Sequence, residues 1–190
     1  MIYFTSDTHY GHANIIKYSK RPFAHVDEMN EALIKNWNSV VQPGDTVYHL
    51  GDFAFARPDK IESILGRLKG QKILLWGNHD KSLWHEKEML KRYFNKVGDY
   101  FELNVPDTDV DRGQRKVVMC HYPMITWNKA HYGAFMLHGH CHGSLRYPFV
   151  GKILDVGVDV HNYTPISYDQ VKAILGPRKT VALDHHTGDM

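Results

Sequence analysis

A chain of 190 residues, 43% of them hydrophobic, is long enough to bury a real core, and we expect one domain over residues 1–176 and a mobile tail over 177–190. Lys plus Arg number 23 against 21 for Asp plus Glu, and the pI of about 8.4 falls below the strongly basic range of a nucleic-acid binder, so charge argues neither for nor against a polyanionic partner. Two cysteines, Cys120 and Cys141, cannot make a disulfide framework; with no membrane-length apolar run and a strand at the start, the expectation is a reducing, cytoplasmic setting without a membrane partner.

The first strand ends at Ser6 and runs into Asp7-Thr8-His9-Tyr10-Gly11-His12, where extended backbone lets Asp7 and His9 converge on one point. Met29, Leu33, Trp37 and Val40 recur at helical spacing within residues 26–41, with Asp27 and Glu28 at the positive end of that helix. Pro43-Gly44 turns the chain into a second strand, residues 46–50, which ends in Gly51-Asp52. A helix is predicted over 58–68, with Pro58 in its first turn and Gly70 as its stop. Residues 73–76, Ile-Leu-Leu-Trp, are too few for a helix and read as a strand covered on both faces; Gly77 then turns the backbone into Asn78-His79-Asp80.

Residues 81–92 are predicted as a surface helix, and 100–105 and 115–120 as strands joined by an Asp-rich loop over 106–113. Asp107, Asp109 and Asp111 invite a calcium reading, but Arg112 stands where such a loop needs Gly and Val118 where it needs Glu, so the loop reads as a solvated hairpin. The second strand of that hairpin ends in His121-Tyr122-Pro123. Further strands are predicted over 134–137, running into His138-Gly139-His140-Cys141-His142, and over 152–160, with a last helix over 167–175.

Histidine is the outlier, with 14 copies. The polar residues at the strand ends are Asp7, His9, Asp52, Asn78, His79, His121, His140 and His142. Carboxylates, an amide and imidazoles in this number exceed one tetrahedral ion and match two five- or six-coordinate ions sharing a bridge. The mixed oxygen and nitrogen donors suit manganese first, then iron, zinc, cobalt or nickel, rather than a calcium cage or a structural zinc knot. Cys120 and Cys141 alternate away from the proposed ligands and are assigned to packing.

Asp7-x-His9, Gly51-Asp52, Gly77-Asn78-His79-Asp80, His121 and Gly139-His140-x-His142, in this order, resemble the calcineurin-like metallophosphoesterase superfamily over about residues 1–165. The stretch Asp-Thr-His-Tyr-Gly-His-Ala-Asn-Ile-Ile at 7–16, without a cap domain, is most similar to the small single-domain bacterial and phage members. The resemblance implies an α/β fold, a two-sheet sandwich flanked by helices with the site on the loops at one rim. It further implies that Asp7, His9, Asp52 and His142 hold one ion, that Asp52, Asn78, His121 and His140 hold the other, and that His79 faces the leaving oxygen. Two such cations lower the pKa of a bridging water and align nucleophile with leaving group, which makes a phosphohydrolase the expected activity.

One departure stands out. Where calcineurin-type phosphatases carry a further Asp and an Arg after Gly-Asp, this chain has Phe55 and Ala56, which leaves Asp80 or Asp59 to orient His79 and makes protein-phosphatase activity unexpected. His12, Arg57, Tyr10 and Trp127 fall beside ligand positions as substrate or supporting contacts, and Tyr122 and Tyr132 lie on nearby loops; aromatic rings there suit a nucleotide or a single strand. His49 and His138 read as hydrogen-bonded core residues, His161 as a brace near the rim, and His25, His85, His131, His185 and His186 as surface residues. A small phosphodiester, nucleotide-derived or not, or a phosphomonoester is the expected substrate. A single-strand or end-acting nuclease is the alternative, and a metal-binding scaffold with little catalysis the alternative of another class.

Overall fold

The computed structural model describes residues 1–145, 151–181 and 183. In the first of two sheets, β1 (Ile2–Thr5), β2 (Thr46–His49), β3 (Gln71–Leu75) and β4 (Lys96–Gly98) are parallel neighbours, and β9 (Ile166–Ser167) closes the β1 edge antiparallel. In the second, β5 (Tyr100–Pro106) and β6 (Gln114–Cys120) form an antiparallel pair, to which β7 (Phe135–His138) and β8 (Ile153–Asp155) add in parallel.

Alternation along the strands sorts the apolar side chains into layers. Phe4, Leu75, Val117, Met119, Phe135 and Leu137 point between the sheets and make the central core. Their neighbours Tyr3, Val47 and Leu74 face outward onto α2 (Val26–Val40) and α3 (Pro58–Leu65), where Met29, Leu33, Trp37, Ile61 and Ile64 meet them. Beyond the second sheet, Val118, Met136 and Ile153 pack with Cys120, Met124 and Trp127. Each large side chain so buried contributes roughly 1.5–3 kcal/mol, which fixes which face of every strand turns inward. The expected sandwich flanked by helices is the one observed.

Because β1, β2 and β3 are parallel, and so are β6, β7 and β8, their carboxyl ends come out at common edges. Ser6, just after β1, pairs in parallel with Gly157, just after β8, and the Val158 N–H donates to the Ser6 carbonyl at 3.1 Å. The sheets are therefore stitched together where their polar loops begin.

Several expected elements differ in detail. Residues 81–92 are not one surface helix: a 3-10 turn (Asp80–Ser82) precedes α4 (Lys87–Tyr93), and Leu83, Met89 and Leu90 are buried. The strand expected over 152–160 stops at Asp155, whose carboxylate takes the Gly157 N–H at 2.8 Å and bends the chain into a 3-10 turn (Val158–Val160). The short helix α1 (Ala13–Tyr18), β4 and β9 were not expected from the sequence. The hairpin loop is not simply solvated: Asp107 is buried and accepts from Arg115 Nε at 2.8 Å, Tyr168 Oη at 2.9 Å and Lys172 Nζ at 2.6 Å. Arg115 and Lys172 already neutralise that carboxylate, which argues against calcium there. Gly176 follows α5 (Tyr168–Leu175), and Arg178 is tied to β8, donating to the Ile153 carbonyl at 2.6 Å. Arg178, the second residue of the tail expected to be mobile, is thus anchored, and the tail's His185-His186 pair lies outside the described residues.

Candidate metal centre

Asp7, His9, Asp52, His140 and His142 all have positive φ, between 48° and 68°. Left-handed backbone is unfavourable for residues with a Cβ, and its clustering at one rim marks a set of side chains held where the fold needs them. Glycines make the approach possible: a Cβ on Gly77 would strike the backbone and carboxylate of Asp52, and one on Gly139 would strike Ser6 and Asp7.

Two groups of donors lie close enough to share an ion, Asp7 with His9 and His142, and Asp7 with Asp52 and His121, the donor atoms of each within 4.8 Å of one another. Asp52 Oδ2 stands 3.5 Å from His9 Nε2 and 3.6 Å from His121 Nε2, so this carboxylate touches both groups. Its other oxygen, Oδ1, accepts the His79 N–H at 2.8 Å. Asn78 Oδ1 lies 3.1 Å from His121 Nε2 and 3.0 Å from His140 Nδ1, which brings the remaining two expected donors to the same place.

The surroundings prepare these atoms for a cation. His121 Nδ1 donates to the Leu50 carbonyl at 2.7 Å, and His142 Nδ1 lies 2.6 Å from Asp159 Oδ2, so in each ring the proton sits on Nδ1 and Nε2 offers its lone pair to the centre. His9 Nε2 is buried and has no hydrogen-bond partner, an arrangement that costs energy unless something else accepts the lone pair. Burial holds the His9 imidazole well below its usual value and therefore neutral, as a ligand must be. Burial likewise pushes the Asp7 carboxyl up to about 7, against the opposing pull of His142 and the Ser6 hydroxyl. The neutral His9 imidazole and two nearly inaccessible carboxylates fit a divalent ion, and no thiolate is required.

Two residues important to this arrangement went unnoticed in the sequence. Arg21 is buried and grips both oxygens of Asp159 at 2.8 Å, while its NH2 group donates to the Asp7 carbonyl at 2.7 Å. Asp159 in turn orients His142. Arg21 carried no local signal, and Asp159 was masked by its place in an apolar stretch read as strand.

Of the residues assigned to substrate or support, His12 and Arg57 lie at the rim. The His12 ring centroid is 5.3 Å from that of His9, and Arg57 is exposed. Tyr10 does not reach the site, being wholly buried against Phe53, because the Tyr10–Ala54 bridge turns its ring inward. Trp127 is also withdrawn, its Nε1 donating to the Ala134 carbonyl at 3.0 Å. Asp80 is buried and accepts from the N–H groups of Asp52, Phe53 and Gly77, so it staples two ligand loops rather than orienting the His79 ring. Asp59 is exposed and pairs with Arg57 instead. His49 and His138 are the expected core residues, bonded to Thr8 and the Gly139 carbonyl, and His161 braces the Asp155 carbonyl. His25 departs from a bare surface role by capping α2.

The profile of the calcineurin-like phosphoesterase superfamily domain matches residues 1–149. The chain belongs to that superfamily. The chain is 35% identical over 187 residues to the protein MJ1445 of Methanocaldococcus jannaschii, covering 95% of this chain and 94% of that one. It is 29% identical to the gene 66 protein of Mycobacterium phage D29 over 92% of its own length and 95% of the phage protein. The crystal structure of AQ665 from Aquifex aeolicus superposes with a TM-score of 0.66 at 28% identity, over 92% of this chain and 98% of the other. Calcineurin-like phosphoesterases are metal-dependent hydrolases of phosphoesters, and the donor groups at this rim agree with that chemistry.

Proposed function

We propose that this phosphoesterase uses two divalent ions, manganese by preference, to hydrolyse a small phosphodiester with His79 as the proton donor. The observation that carries the reading is the convergence of Asp7, His9, Asp52, Asn78, His121, His140 and His142 at one rim, with the exposed His79 ring 5.4 Å from that of His9. Asp7, His9, Asp52 and His142 would hold one ion and Asp52, Asn78, His121 and His140 the other, with Asp52 between them. Bound there, the ions would supply an activated water and neutralise phosphoryl charge.

The chain's own residues do the rest. The Asp52 bond to the His79 N–H fixes the backbone of the donor, while its imidazole, outside both ligand groups, stays available to protonate a leaving alkoxide. A diester is favoured over a monoester because Phe55 and Ala56 stand where a phosphatase of this superfamily would place extra charge, so a dianion finds less compensation than a monoanion. The two free cysteines suit a reducing cytoplasm, and among the described residues no helix is long and apolar enough to cross a membrane. We also read residues 1–176 as a single domain.

The test is a screen of aryl mono- and diesters against manganese, iron, zinc, cobalt and nickel. Faster turnover of bis(p-nitrophenyl) phosphate than of p-nitrophenyl phosphate is expected. Manganese binding without product from either ester would replace the enzyme with a binding scaffold.

A further inference from the structure

Beside His79 opens a cleft of about 550 Å³ lined by Phe55, Ala56, Arg57, Asn78, Lys81 and Ser82. Its apolar wall is Phe55, which is 55% exposed although most large hydrophobic side chains of this chain are buried. The backbone beneath it is rigid: the Phe55 N–H donates to the Tyr10 carbonyl at 2.8 Å, and Tyr10 pairs with Ala54. The ring packs beside two imidazoles, its centroid 4.9 Å from that of His12 and 6.1 Å from that of His79. An aromatic face held in place, open to solvent and adjacent to the proton donor is a platform for a flat ring.

The cleft's polar side is cationic. Lys81 is exposed and has no ion-pair partner among the described residues, and Arg57 pairs only with exposed Asp59 at 3.3 Å, a contact weak enough to yield to a phosphate. We infer that this cleft is the leaving-group subsite and that it selects a nucleotide, with the base on Phe55 and a second phosphate on Arg57 and Lys81. The inference rests on the phosphoesterase reading only for the placement of the scissile phosphate at the metal centre. It gives a role to the Phe55 position, where the superfamily's phosphatases carry a charged residue instead.

Calorimetric titration of the manganese-loaded protein with ribose 5-phosphate, adenosine 5′-monophosphate and adenosine 3′,5′-bisphosphate tests it. The base should tighten binding about tenfold and the second phosphate several-fold more. Phe55→Ala should abolish the first increment, Phe55→Tyr should retain it, and the Arg57→Ala/Lys81→Ala double variant should abolish only the second. Equal affinity for ribose 5-phosphate and adenosine 5′-monophosphate, or a Phe55→Ala loss shared by all three ligands, would overturn the subsite. Hydrolysis of bis(p-nitrophenyl) phosphate is measured alongside: turnover without the base increment rejects the subsite alone, whereas the increments without turnover support the subsite and reject the phosphoesterase reading.

Discussion

His142 can present Nε2 to the centre because Asp159 holds its Nδ1, and Asp159 can do so because Arg21 neutralises it from behind. Burial disfavours charge on His142, yet Asp159 and Asp7 together lift it above its ordinary value, which shows how closely the ring is coupled to both carboxylates. Replacing Asp159 with Asn frees the ring to turn and should weaken manganese binding roughly 10–100-fold in a calorimetric titration; an unchanged affinity would remove Asp159 from the account. His79 makes the opposite prediction. His79→Ala should bind manganese as the parent does, lose roughly 10²–10⁴-fold in rate on alkyl phosphate esters, and lose far less on nitrophenyl esters, whose leaving group needs no proton. Equal losses on both ester classes would give His79 some other task.

At the level of elements, the strands that are long and regularly patterned were readable and the short ones were not. Residues 73–76 could be placed because an apolar run stops at Gly77, and β3 does lie between two neighbours. β9 escaped because Ser167 serves twice, pairing with Tyr3 and capping α5 through the Gln170 N–H, and the capping pattern is the stronger local signal. The proposed ligands were legible for a related reason, each lying in a loop that follows an apolar run. Arg21 and Asp159, 138 positions apart, meet only in the folded chain. The Asp107 cluster is another long-range element, joining the hairpin to α5. Burial raises that carboxyl, but Arg115 and Lys172 outweigh it and hold the group well below the usual carboxylate range. A depressed folded pKa contributes stability above the unfolded value of about 4 that is lost as pH falls below it toward the folded value. Asp107→Asn should therefore cost about 3 kcal/mol in urea unfolding at pH 7, with the gap to the parent closing as pH is lowered below about 4. A gap independent of pH would mean that packing, rather than charge, holds the hairpin to the helix.

Across the whole molecule, parallel strands in two sheets send their carboxyl ends to one rim, and the Ser6–Gly157 bridge keeps the two halves of that rim together. Asp7 and His9 come from the end of β1, Asp52 from β2, Asn78 from β3, His121 from β6, and His140 and His142 from β7. The fold thus acts as a jig, and no single loop contains either proposed ligand set. In the proposed centre Asp52 is the carboxylate common to both ion sites. Anomalous diffraction from manganese-soaked crystals measures this most directly. Two peaks are predicted, one among Asp7, His9, Asp52 and His142 and the other among Asp52, Asn78, His121 and His140, with both lost in Asp52→Asn. A parent crystal without a peak at this rim, or an Asp52→Asn crystal that keeps both, would contradict the account.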